Sequence, residues 1–142
     1  MTDTQTAMAL LPHALPTCPN ARVALFAMRR MGAYGLADAQ AAHLLFSAFG
    51  QGFRRPLVLL RALMADLASA SSGTIAIAPC CCARMTSAES AMLTILARVE
   101  TAPEVARYLM ADLLGIRRID GVLTSAAAVA MAFADEGRPV IV

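Results

Sequence analysis

Apolar side chains recur at helical spacing through most of the chain, and the helix signals at their edges divide it into elements. Asn20 stands as an N-cap before Ala21 to Ala33, where Val23, Phe26, Ala27, Arg30 and Met31 repeat every three to four positions. Gly35 supplies a left-handed stop to that helix. Asp38 caps a second helix reaching about Phe49, with Ala42, Leu45, Phe46 and Phe49 on its apolar face and His43 on its flank. The run Gly50-Gln-Gly-Phe-Arg-Arg-Pro56 reads as a turn, and Pro56 suits the first turn of the helix that follows.

That third helix, ending near Ala70, has almost no polar face: Leu57, Val58, Leu59, Leu60, Leu63, Met64 and Leu67 are all apolar. A helix apolar all round, outside a membrane, is central in its bundle or shared between subunits. In the second half, Thr86-Ser-Ala-Glu89 and Thr101-Ala-Pro-Glu104 match capping boxes. Asp120 caps a last helix carrying Val122, Ala126, Val129 and Phe133 and ended by Gly137. Residues 74–78 and 139–142 alternate in the manner of short strands and suggest a minor two-stranded ribbon. The pattern predicts a mainly α fold, a compact bundle of about six helices. An N-terminal arm over 1–19, marked by Pro12, Pro16 and Pro19, precedes a single helical domain over 20–142.

Composition sharpens this picture. Apolar residues make up 58% of the 142 residues and charged residues 15%, against norms of about 45–50% and 25%. Such a chain is not disordered. A net charge of +2 is too mild to argue for a nucleic-acid partner. No apolar run reaches the length of a membrane span, and the first residues carry no positive n-region, so a cytoplasmic protein with reduced thiols is expected. Too few charges to coat so apolar a chain imply a homo-oligomer, by default a dimer, with Leu57, Leu60, Leu63, Met64 and Leu67 as its interface.

Ala78-Pro-Cys80-Cys81-Cys82-Ala-Arg84 is the main chemical feature. Adjacent Cα atoms lie about 3.8 Å apart, below the roughly 4.4 Å lower limit of an unstrained disulfide, so a structural bridge inside the triplet is disfavoured. Three thiols with Cys18, or with His13 as a fourth donor, would suit Zn or an Fe–S cluster, although the paired C-x-x-C spacing of zinc sites is absent. A reactive redox thiol is the second reading, favoured by Arg84 and a following helix start. A redox-switchable disulfide between Cys18 and the triplet is the third, and packing as small hydrophobes is the structural alternative. All 12 basic residues are arginine. Arg54 and Arg55 precede a helix start and, with Arg30, would suit a small anion or phosphate group, whereas Arg29-Arg30 and Arg117-Arg118 sit where helix C-termini stabilise cations. No hydrolase, metalloprotease or phosphate-loop motif is present, and no nucleophile–base pair stands out, so the expectation leans against an enzyme.

The stretches from Arg29 to Asp38, from Phe53 to Met64 and from Ile77 to Thr86 resemble a small uncharacterised alphaproteobacterial family, a domain of unknown function. The resemblance covers roughly residues 10 to 115, and its most specific part is the A-P-C-C-C-x-R-M-T motif. It implies a standalone cytoplasmic protein and assigns no catalytic residue. Three functions therefore remain in view. One is a non-catalytic helical protein that self-associates through an apolar helix face. The others are a cysteine-based metal or redox sensor and a small-anion or phosphate-ligand binder.

Overall fold

The computed structural model describes residues 11–142. It is mainly α, with one small antiparallel sheet. Helix α1 spans Pro19–Tyr34, with Cys18, not Asn20, at the N-cap and proline at the first helical position. Asn20 instead lies inside the first turn, where its side chain donates to the Pro139 carbonyl at 3.1 Å and ties the C-terminal tail to α1. Helix α2 spans Ala39–Phe49, and the Asp38 carboxylate accepts from the Ala41 N–H at 3.0 Å, as the cap signal predicts. A 3-10 turn over Gly50–Phe53 joins it without a loop to α3, Arg54–Ala70. Gly50 makes that corner with φ 63°, a value that side chains disfavour.

Helix α4, Ser87–Arg98, starts with a complete capping box, Thr86 and Glu89 bonding each other's main chain. Helix α5, Pro103–Leu114, starts without one: Ala102 holds the N-cap position, and no side chain caps there. Helix α6, Asp120–Asp135, likewise begins after Ile119, with Asp120 already inside the first turn.

The expected ribbon between 74–78 and 139–142 does not form. Strand β1, His13–Ala14, pairs antiparallel with β2, Arg84–Met85, in the register His13 with Met85 and Ala14 with Arg84. The reason is local: the Arg84 guanidinium donates to the carbonyls of Leu11 and Pro12, each at 2.8 Å, and so clamps the arm beside its own strand. Residues 1–10 of the expected arm lie outside the described residues.

Helix α6 lies along α3, α1 packs with α2, and α4 with α5. One hydrophobic cluster draws on all six helices. Leu57, Leu60, Leu63, Met64 and Leu67 are at most 8% exposed, enclosed by the chain's own helices. These five residues thus face the chain's own core, and the outward side of α3 carries Val58 between Arg55 and Ala62. Among the described residues, no helix is long and apolar enough to cross a membrane.

Candidate functional site

The cysteine triplet sits in a turn between an extended segment and β2, and a buried ion pair beneath it sets its backbone. Arg29, on α1, is withdrawn from water, as is Glu89 in the first turn of α4. Arg29 Nε donates to Glu89 Oε2 at 2.7 Å and one terminal nitrogen donates to Oε1 at 3.1 Å, a bidentate fork. The remaining donors reach main-chain carbonyls: Cys82 at 2.9 Å, Arg84 at 2.7 Å, and Cys80 in a longer contact at 3.5 Å. Every N–H of the guanidinium is used. Glu89 also accepts from the N–H groups of Thr86 at 2.9 Å and Ala78 at 3.3 Å. The capping glutamate is thus the anchor of the turn from both sides, and Pro79 closes it by accepting from the Cys82 N–H at 3.0 Å.

On this base the three cysteines are exposed to different degrees. Cys81 is exposed, Cys80 and Cys82 are half-buried, and all four cysteines are free thiols. Among the described residues, no three His, Cys, Asp or Glu side chains converge to hold a metal ion. The set proposed for Zn or Fe–S, Cys18, Cys80, Cys81, Cys82 and His13, is not assembled. His13 is held in strand register opposite Met85, and Cys18 caps α1.

Cys18 stands elsewhere, as the N-cap of α1 beside the C-terminal tail. Partial burial pushes its thiol pKa up, but the N–H groups of Ala21, Ile141 and Asn20 favour the thiolate more, and the net pKa is lowered. The folded state therefore binds fewer protons than the unfolded one as pH approaches the ordinary thiol range, and stability rises with pH there.

The arginines do not gather into one anion pocket. Arg30 grips Asp38 through two bonds of 3.0 and 3.1 Å and stacks on Tyr34 at 4.1 Å. The hydrogen bond with Asp38 raises the Arg30 pKa, and its counterpart from Arg30 lowers that of Asp38. Arg55 bonds Asp135 at 2.7 Å on the surface. Arg54, at the start of α3, lies over the Phe53 ring. Two of the three proposed anion ligands thus already hold carboxylates of their own.

A model of a protein family, described as a family of unknown function (DUF6628), matches residues 2–112. The chain belongs to that family. The DUF6628 match takes in the Arg29–Glu89 pair and the whole cysteine turn, and ends inside α5, so that α6 lies beyond it. No curated protein and no solved structure matches the chain.

Arg29 is the residue that sequence reasoning misplaced. The spacing of Val23, Phe26, Ala27, Arg30 and Met31 picks out Ala27 and Met31, which are buried, together with Val23, Phe26 and Arg30, which are only partly so, and it leaves Arg29 as a cation near the helix end. The buried residues of α1 are Ala21, Ala24, Leu25, Ala27, Met28, Arg29 and Met31. Leu25 and Arg29 are four apart, so an arginine falls within the apolar stripe, and that position demands a buried acid as partner.

Proposed function

We propose that this DUF6628 protein is a thiol-based redox sensor whose reacting element is the Pro79–Cys82 turn. The observation that carries the reading is the use of a fully buried guanidinium to hold the main chain of Cys80, Cys82 and Arg84 while Cys81 stays exposed and Cys80 and Cys82 half-buried. Desolvating an ion pair costs several kcal/mol per ion unless further hydrogen bonds compensate. Here those bonds are made with the cysteine turn.

The chemistry is that of a small hydroperoxide as oxidant. The exposed Cys81 sulfur attacks the peroxide, the O–O bond breaks, and a sulfenic acid forms with release of water or an alcohol. The thiol of Cys80 or Cys82 then displaces the sulfenic oxygen as water, giving a disulfide. Adjacent cysteines are closer than an unstrained bridge allows, so such a bond is readily reduced by cellular thiols, and the change is reversible.

The test uses Cys18→Ser protein, which leaves only the turn thiols. Treatment with hydrogen peroxide followed by mass spectrometry should place a dimedone-trapped sulfenic acid on Cys81, or a dithiothreitol-reversible disulfide in the turn. Cys81→Ser should suppress both. The reading fails if the turn stays reduced at peroxide levels that oxidise the same sequence as a free peptide.

A further inference from the structure

Between α3 and the cysteine turn, residues Thr74 to Ala78 belong to no helix and no ladder among the described residues, and the main-chain groups of Ala76 and Ala78, two residues apart, both turn to the start of α4, the alternation of extended chain. Thr74 and Ala76 are exposed, whereas Ile75 and Ile77 pack partly against the core. In extended chain, the main-chain groups of alternate residues face opposite edges. One edge is occupied: the Ala78 N–H donates to Glu89 Oε2 at 3.3 Å, and the Ala76 carbonyl accepts from Thr86 Oγ1 at 2.7 Å. The other edge belongs to Ile75 and Ile77, and neither their N–H nor their carbonyl groups bond to any described residue. A groove of about 550 Å³ runs beside the segment, lined by 74–80 and by Gly32, Ala33 and Tyr34 at the end of α1.

We infer that this open edge pairs with the same segment of a second copy of the chain, antiparallel, about a two-fold axis through Ala76. The register follows from which groups are left open. Ile75 faces Ile77 of the partner subunit and Ile77 faces Ile75 of the partner subunit. Both are hydrogen-bonded pairs that satisfy the unpaired groups on each side. Ala76 then faces itself in the non-hydrogen-bonded position, where Cα atoms approach to about 4.5 Å and a small side chain is needed.

The segment also lacks the charged residues and prolines with which monomeric proteins guard an open edge. Tyr34, 65% exposed, lines the groove, and Leu36, 38% exposed, lines an adjoining cavity of about 430 Å³ shared with Ile75 and Ile77. Pairing brings a second copy over these apolar surfaces, on a chain whose charged residues are only 15% of the total. A second copy suits the edge better than an unrelated peptide, because one sequence satisfies both sides.

Light scattering on the full chain across the micromolar range should give a species of twice 14.9 kDa. Ala76 is exposed, so A76K and A76E should both fold, which thermal melting by circular dichroism checks. Each variant alone should be monomeric, since like charges meet directly across the axis. Mixing the two should restore a dimer containing one of each. A wild-type monomer throughout the range overturns the inference. So does a dimer that persists in both variants, or a mixture of monomeric variants that does not recombine.

Discussion

Arg29 shows how one side chain carries an irregular stretch of backbone. A guanidinium with a single carboxylate partner would leave N–H groups unmet in the interior, and each unmet donor there costs on the order of 1–3 kcal/mol. The turn from Cys80 to Arg84 presents its carbonyls to these donors, so the ion pair and the turn complete each other. Neither partner announces the other in sequence, because 60 residues separate them. The capping box identified Glu89 by its local role only. Arg29→Met should destabilise the fold by about 3–5 kcal/mol, because it strands the Glu89 carboxylate without its counter-charge. Arg29→Met with Glu89→Leu should recover only part of that loss, since the Thr86 and Ala78 N–H groups then lose their acceptor. Urea unfolding of the two single variants and the double variant measures the coupling. Additive losses would mean that the pair does not act as a unit.

At the scale of elements, the helices were legible because each carries its own periodicity and stop signals: Asp38 and Thr86 cap as expected, and Gly35 and Gly115 end α1 and α5. The strand pairing was not legible. Thr74 to Ala78 has the alternation of a strand, yet what determines pairing is which edge remains open, and side chains from Thr86 and Glu89 occupy one edge here. Arg84, by holding two carbonyls of the arm, selects the short β1–β2 pair instead. Thr86 therefore acts on two elements at once. Its Oγ1 accepts from the Glu89 N–H at 3.0 Å to start α4 and donates to Ala76 at 2.7 Å to hold the extended segment. Loss of an N-cap alone costs typically about 1 kcal/mol. Thr86→Ala should cost about 2 kcal/mol, because the Ala76 carbonyl also loses its donor, and Thr86→Ser, which keeps the hydroxyl, should cost less. Thermal denaturation of the two variants distinguishes this double role from simple capping, which predicts the smaller loss.

For the molecule as a whole, the question is how far stability depends on the C-terminal helix that lies beyond the DUF6628 match. Helix α6 buries Val122, Leu123, Val129 and Phe133 and packs most extensively against α3, the helix that reads as apolar all round. Burying each such side chain is worth roughly 1.5–3 kcal/mol, so these four contribute roughly 6–12 kcal/mol before entropy is counted. The net stability of a domain is only about 5–15 kcal/mol. Removing α6 therefore takes away an amount comparable to the whole margin and uncovers the central helix at Leu63 and Leu67, which share a small cavity with Ala126. A chain ending at Arg118 should lose its cooperative thermal transition and bind a hydrophobic dye, while the full chain melts in a single step. A truncated chain that still melts cooperatively, with helix content reduced only by the missing segment, would show that α1 to α5 form a self-sufficient core and that α6 is an addition to it.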